Sequence, residues 1–458
     1  MIDIEEYLNN FYKGTKNPSL KAMEYFMNEY DNFEKNMKFI HIAGTNGKGS
    51  WTEIISNILV SQGYKVGKFL SPHLVRYNER ISINGKEISD EEMSDIIEEL
   101  KPKIEKYNKE EQVNITLFEL ETTMALLYFY GNKVDFVVLE TGLGGLYDCT
   151  NIITKTLVSV ITSIGYDHME ILGNTLTEIA YQKAGIIKEN SNTVIFEQSE
   201  EITNVFIEEC KKKKNKLHVI TNNDISNYSF DNNLQYFKYK DMDNLCINLK
   251  GKMQIENASL CLESIKILQE EGYVISEESI KRGLSTVIHK GRMETLNNKP
   301  LIIYDGAHNE PAIKNLQKII EMYYNNVPRT YIISILKRKN YEKMLQLLAE
   351  DKESIFILTS GNDEERYTSS DELYKTAIKY KEKNKIFTKK LEDAIEGVMN
   401  NKTNTANFVV GSFYTYGTVV NKIKGLPSDK LSVLMSVLDS WSKWWEYIGA
   451  LFNCVGAE

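Results

Sequence analysis

Short β-prone apolar runs alternate with stretches of helical periodicity along most of this chain. In the first half the apolar runs are 39–43, 66–70, 136–139 and 157–164, and helical patterns at 52–62 and 90–103 lie between them. Parallel strands need a long crossover that a helix can supply, so the alternation predicts an α/β fold with mainly parallel sheet. A second, shorter series starts near residue 295. Its strands are predicted at 301–304, 330–335, 354–358 and 407–410, with a helix over 311–324 whose leading Pro311 suits a first turn. Residues 285–298 read as the hinge between two domains. Past residue 425, Leu431, Leu434, Val437, Leu438, Trp441, Trp444, Trp445 and Ile448 recur at helical spacing, which predicts a packed helical tail over 426–458.

Composition narrows the class. A chain of 458 residues is expected to build two cores rather than one. The net charge of -9 argues against a nucleic-acid partner, because phosphate backbones need a basic footprint. The basic run 211–214 follows Glu208 and Glu209 and reads as the solvated end of a helix. Cys149, Cys210, Cys246, Cys261 and Cys454 show no metal-ligand spacing and predict reduced thiols. The acidic N-terminal segment has no signal-type apolar stretch, and no uncharged run is long enough to span a bilayer. A cytoplasmic monomer that acts on small molecules, with no membrane partner, is expected.

The sharpest chemical signal is KFIHIAGTNGKGSW. An apolar strand runs into Gly44, Thr45, Asn46, Gly47, Lys48, Gly49 and Ser50, and a helix follows. Glycines let backbone N–H groups converge on phosphate oxygens, and the helix N-terminus adds its dipole. Lys48 brings positive charge and Ser50 a hydroxyl suited to magnesium. A glycine-rich turn with a chance lysine is the bland alternative, and the strand–loop–helix context weighs against it. The loop is a shorter variant of the general phosphate-binding pattern, because position 42 is Ile42.

Glu140 closes the apolar run VDFVVLE and is followed by a glycine-rich stretch. Ligands of open α/β sheets gather at the carboxyl ends of strands, where a carboxylate can hold the magnesium that accompanies a nucleotide. Strand capping is an equally good reading of Glu140 taken alone. His168 follows the 157–164 run and would share that rim. Lys183 sits in a helical stretch among apolar residues, where snorkelling to solvent is the ordinary outcome.

With these residues in order, the chain resembles the folylpolyglutamate synthase and dihydrofolate synthase family, relatives of the Mur ligases. The likeness runs from about residue 17 to residue 417. It is carried by HIAGTNGKGS, SPHLVRYNERI, TLFELET, ETGLGGLYDCTN, SIGYDH, LGNTLTEIAYQKAGIIK, GKMQIENA, HKGRMET, YDGAHN and VVGSFY. It departs from the usual pattern at Leu146, Tyr147, Met253 and Lys290.

The resemblance implies a P-loop mononucleotide-binding domain at 1–294 and a smaller Rossmann-like domain at 295–425. It also implies an ATP- and magnesium-dependent amide ligase that activates a carboxylate as an acyl phosphate and couples it to L-glutamate. Folate polyglutamate is the leading acceptor, with dihydropteroate as a second. By the same resemblance Thr45, Asn46, Gly47, Lys48, Gly49 and Ser50, with Asn257, Arg292 and Asp305, contact ATP. Ser50, Ser71, Glu140, His168 and Lys183 would hold two magnesium ions, Lys183 as a carbamate formed with CO₂. Lys48, Lys183 and His308 carry catalysis, and Ser71, Arg80, Phe118, Asp148 and Ser412 line the substrate sites.

Three rivals are weighed against this. A cell-wall Mur-type amino-acid ligase would need a nucleotide-sugar-binding domain before the loop, and the 43 residues preceding Gly44 are too few for one. An inactive nucleotide-binding regulatory protein would be expected to have lost Lys48, Glu140, His168 and Lys183 together. A generic P-loop kinase or GTPase leaves the second domain and YDGAHN unexplained.

Overall fold

The five residues Phe39–Ala43 form a strand, β1, that is buried along its whole length. Around it the first unit of the chain builds an eight-stranded sheet. The other strands are β2 (Val66–Phe69), β3 (Ile81–Ile83), β4 (Lys86–Glu87), β5 (Phe136–Glu140), β6 (Val158–Ile161), β7 (Asn192–Phe196) and β8 (Lys216–Ile220). Their order is β4-β3-β2-β5-β1-β6-β7-β8, parallel from β2 to β8 with an antiparallel edge at β3 and β4. The chain leaves β1 toward β2, returns through β5, then continues on the other side at β6. The strand order therefore reverses at β1, and its carboxyl end is a switch point of the kind where such sheets bind ligands.

This is a computed structural model, and it describes residues 3–12, 19–231, 234–361, 365–401 and 403–425. The expected tail helix at 426–458 lies outside the described residues. Two units are distinguished. One is built from Met1–His73 and Tyr77–Ile288, the other from Leu74–Arg76 and the chain from His289 onward.

In the first unit Ile40, Ile42, Val138 and Val160 of the sheet bury against Trp51, Ile55 and Leu59 of the Lys48–Gln62 helix and against Leu260 and Leu268 of the Lys252–Glu270 helix. A separate cluster joins Ala43, Ile161 and Ile195 to Ala180, Ala184 and Phe206 of the Leu176–Ala184 and Glu200–Lys212 helices. A three-stranded antiparallel sheet, β9 (Ile225–Phe230), β10 (Gln235–Tyr239) and β11 (Met242–Ile247), adds Phe237, Tyr239, Leu245 and Ile247 to the first core. These strands depart from the parallel expectation. Five of the six β9 residues are exposed, so β9 carries no apolar signal to read.

The second unit holds β12 (Glu294–Asn298), β13 (Leu301–Asp305), β14 (Arg329–Ile333), β15 (Ile355–Leu358), β16 (Ile386–Thr388) and β17 (Ala406–Val410), in the order β12-β13-β17-β14-β15-β16. Only β12 runs antiparallel to its neighbour. Ile303, Ile333, Phe356 and Phe408 form its core with Leu316 and Ile320 of the Glu310–Tyr324 helix.

Several sequence expectations shift in detail. The helix expected at 52–62 begins at Lys48, and the one expected at 90–103 continues through Pro102 to Glu111. The run 157–164 stops being strand at Ile161, because the residues after it turn to bind the glycine loop. The 211–214 run is only partly solvated: Lys213 turns inward and its Nζ donates to Ile187 O at 2.8 Å. The four described cysteines are free thiols, and no described helix is long and apolar enough to cross a membrane.

Candidate active site

β1 delivers the chain into the loop at Gly44. Gly47 is the N-cap of the following helix, with φ +92°, so the cap position has no side chain to close that helix start. A methyl group on Gly47 would lie 2.7 Å from Asn257 Oδ1, so the loop needs a residue without Cβ for both conformation and space. Long-range hydrogen bonds hold the loop in place. Thr45 N donates to Ser163 O at 2.8 Å, Thr45 Oγ1 lies 3.1 Å from Gly165 O, and Gly165 N reaches Thr45 Oγ1 at 3.0 Å. Asn46 forms a bridge with Ser163.

Two lysines converge on one carbonyl. Lys48 Nζ donates to Gly44 O at 3.0 Å, and Lys183 Nζ donates to the same oxygen at 2.9 Å. Lys183 is only 4% exposed, which overturns the expected snorkelling to solvent. Burial first, and then the Lys48 charge, push the Lys183 ammonium down to about 7, while Asp167 and Asp148 pull the other way. A buried lysine with that acidity is in large part a neutral amine near neutral pH.

Glu140 ends β5 opposite Ile42 of β1 and is 4% exposed. Thr141 N donates to Ile42 O at 3.0 Å and fixes the chain beyond it. Ser50 is buried in the first turn of the helix after the loop, and Ser71 is half-buried. His168 differs from its expected place at a strand end. It lies seven residues past the end of β6, has φ +48° and opens the short Met169–Leu172 helix. Its side chain is 43% exposed, with Nε2 3.8 Å from Asp167 Oδ1 and Nδ1 3.7 Å from Glu170 Oε1.

Among the described residues, no three His, Cys, Asp or Glu side chains are grouped to hold a metal ion. The set expected from the sequence contains only two such residues, Glu140 and His168. Ser50 and Glu140 supply hard oxygens that fit magnesium. Lys183 fits only after its amine becomes a carbamate, and its lowered basicity is what that conversion requires.

The residues expected to line the acceptor site are held by internal partners. Arg80 is buried, with Nη1 2.6 Å from Glu121 Oε2 and Nε 2.9 Å from His73 Nδ1. Asp148 is buried too. Its Oδ2 accepts from Leu143 N at 2.8 Å, and its Oδ1 accepts from Thr150 N at 3.1 Å, closing the glycine-rich turn after β5. Burial raises the Asp148 carboxyl against those donors. Phe118 is half-buried against Phe69, with ring centres 5.7 Å apart, and a methyl group on Gly142 would touch its ring. Glu121 and His73 went unnoticed in the sequence, although both lie inside the motifs TLFELET and SPHLVRYNERI.

In the second unit Asp305 ends β13. Its Oδ2 accepts from Met293 N and its Oδ1 from Ala307 N, both at 2.9 Å. Burial raises the Asp305 carboxyl and the Arg292 charge opposes that rise. Arg292 stacks 4.5 Å over the Phe413 ring, and the His308 ring meets Phe413 edge-on at 5.5 Å. His308 Nδ1 lies 2.7 Å from Gly306 O, so that nitrogen carries the proton. Ser412 is buried. Its Oγ accepts from Tyr414 N at 3.1 Å and lies 3.0 Å from the Tyr367 hydroxyl, while its carbonyl accepts from the Tyr304 hydroxyl.

Two family models match the chain in succession: the Mur ligase middle domain over residues 42–265 and the dihydrofolate synthetase C-terminal domain over 289–422. The dihydrofolate synthase/folylpolyglutamate synthase of Bacillus subtilis is 34% identical over 435 residues, covering 92% of this chain and 99% of that protein. This chain belongs to the dihydrofolate synthase/folylpolyglutamate synthase family. The dihydrofolate synthetase of Saccharomyces cerevisiae is 34% identical over 347 residues, with 73% of this chain and 79% of that protein covered. The crystal structure of folylpolyglutamate synthase from Thermotoga maritima superposes with a TM-score of 0.81 at 31% identity, covering 93% of this chain and 97% of that one. The dihydrofolate synthase/folylpolyglutamate synthase assignment thus spans both units, and the glycine loop lies at the start of the first matched region.

Proposed function

We infer that this chain is an ATP-dependent ligase that adds L-glutamate to folate polyglutamates through an acyl phosphate, and that it also accepts dihydropteroate. The observation that carries this reading is the Lys48 ammonium on Gly44 O at a helix start whose N-cap is a glycine, with the Lys183 amine on the same carbonyl. Such an arrangement gathers backbone donors and positive charge where phosphate oxygens can sit. Relatives support the reading: folylpolyglutamate synthase of Mycobacterium tuberculosis was solved with ADP and AMPPCP, at 25% identity and a TM-score of 0.82.

Gly47, Gly49 and the neighbouring loop amides, with Thr45 and Asn46 as anchors, position the triphosphate, and Asn257 backs the loop. Lys48 neutralises charge as the terminal phosphoryl group moves to the substrate carboxylate. Ser50, Ser71, Glu140, His168 and a carbamylated Lys183 would hold magnesium, which supplies charge neutralisation on the phosphates when bound. The carbamate forms when the neutral Lys183 amine attacks the carbon of CO₂ and its nitrogen releases one proton. Arg292 and Asp305 are assigned to the nucleotide, and His308 to placing the phosphoryl group. The α-amine of glutamate then attacks the acyl carbon, and phosphate leaves. Arg80, Phe118 and Asp148 shape the acceptor pocket, and Ser412 serves the glutamate side. The family matches at 42–265 and 289–422 support a division into a nucleotide-binding part and a glutamate-ligase part.

The deciding experiment measures ADP release by the purified chain with ATP, magnesium and L-glutamate, adding either tetrahydrofolate or dihydropteroate. Glutamate-dependent release is expected with each acceptor. No release with either would overturn the ligase reading, and release with one alone would remove the second activity. Labelled bicarbonate should give a carbamate carbon signal that Lys183→Met abolishes.

A further inference from the structure

A cavity of about 570 Å³ lies in the first unit, between the 20–35 segment on one side and residues 151–154, 185–189 and Lys213 on the other. Its size is in the range of small-molecule pockets. Two features of its lining lack the partners that a closed structural pocket would supply.

One wall carries two lysines. Lys188 Nζ donates to Asn151 Oδ1 at 2.7 Å and to Asn151 O at 3.2 Å, and Lys213 Nζ donates to Ile187 O at 2.8 Å. All three acceptors are neutral amide oxygens. Glu24 and Glu189 also line the cavity, but among the described residues neither ammonium forms an ion pair with a carboxylate. Burial and the nearby Lys213 charge lower Lys188 to about 7. Near neutral pH Lys188 is therefore in large part a neutral amine beside the Lys213 ammonium, and a carboxylate entering the cavity would draw the proton back onto it, which makes this wall an anion site.

The other wall carries Glu34, 3% exposed, whose Oε2 meets no hydrogen-bond donor among the described residues. Burial raises its carboxyl even though its own backbone N–H and Lys35 pull it down. An unmade hydrogen bond at a buried carboxyl is costly, and a ligand donor would recover it.

We propose that this cavity binds a small zwitterion of the amino-acid class, up to dipeptide size, with its carboxylate on Lys188 and Lys213 and its ammonium on Glu34. The site is separate from the glycine loop. It is nevertheless tied to that region, because Asn151 Nδ2 donates to Leu146 O at 3.1 Å and to Gly185 O at 3.2 Å. One side chain therefore links the pocket lysine to the turn bearing Asp148 and to the end of the helix bearing Lys183.

The test is calorimetric titration of the full chain, without nucleotide or folate, using L-glutamate and glutarate, which lacks the ammonium. Saturable L-glutamate binding is expected, at least tenfold tighter than glutarate. Glu34→Gln and Lys188→Met should each weaken it at least tenfold, with Lys213→Met as the second lysine variant should Lys188→Met fail to fold. Lys48→Ala and Ser412→Ala should each leave it unchanged, which separates this site from the nucleotide and glutamate sides of the ligase reading. Absence of saturable binding overturns the proposal. So does equal affinity for glutarate, or binding that persists in the folded pocket variants.

Discussion

Two strand-to-helix loops, one in each unit, begin alike and end differently. β1 runs into the Lys48–Gln62 helix and β13 into the Glu310–Tyr324 helix, each from the carboxyl end of an interior strand. Every helix start leaves backbone N–H groups without intrahelical partners. At the second loop the chain satisfies such groups itself. Asn309 caps the helix through Ala312 N at 2.9 Å, and Asp305 pins the loop before it by accepting from Ala307 N and from Met293 N. At the first loop Gly47 stands where a cap would be and has no side chain to offer those donors. On the proposed reading the first loop keeps its backbone for phosphate, while the second spends its own on rigidity and presents the side chains of Arg292 and His308.

The largest effect should come from Lys48→Ala. Glutamate-dependent ADP release is expected to fall by roughly 10³-fold, the upper range for removing one preorganised charge-stabilising donor. Activity within tenfold of the parent would break the assignment of the first loop to phosphate.

Gly47→Ala sharpens the comparison by filling the cradle. At φ +92°, with Asn257 Oδ1 2.7 Å from the new methyl, a strain of about 1–3 kcal/mol is expected. ADP release should drop about 10²-fold, as small misplacements at a reacting centre do. Parental kinetics would show that the glycine serves the backbone turn alone.

Lys183 gives a pH signature on the alkaline side, opposite in kind to the raised Asp305 carboxyl of the second loop. Its folded value of about 7 lies below the ordinary lysine value of 10.5, so the unfolded chain binds more protons between those limits. Stability should therefore rise with pH across that window, and the penalty is fully present below about pH 7. In CO₂-free buffer Lys183→Met should flatten that rise, by roughly 5 kcal/mol at most. Chemical denaturation at several pH values checks this, and parallel curves for parent and variant would contradict the buried-amine assignment.

Asn309→Ala should have the smallest effect. Loss of the cap is expected to cost about 1 kcal/mol of stability. ADP release should change less than tenfold, and a larger kinetic loss would make the second loop a ligand cradle as well.

Much of this was legible beforehand where the cause is local. The apolar 39–43 run, the glycines after it and Pro311 at a helix start each act within a few residues. Glu140 was placed at a strand end from its own run. Other features had no local signature. Arg80 meets Glu121 across 41 residues, so its guanidinium looked available for substrate. The exposed strand β9 offered no alternation, and Lys213 read as one more solvated lysine until the fold turned it toward Ile187.

The sequence by itself determined the glycine loop and the helix that follows it, because glycine conformations, a helix start and a neighbouring lysine are set by adjacent residues. Only the tertiary structure decided what Lys183 is. The carbonyl it shares with Lys48 lies 139 residues earlier, and its acidity comes from the dry, positively charged surroundings that folding assembles around it. Desolvation and charge proximity are properties of packing, so no reading of the helix that carries Lys183 could have supplied them.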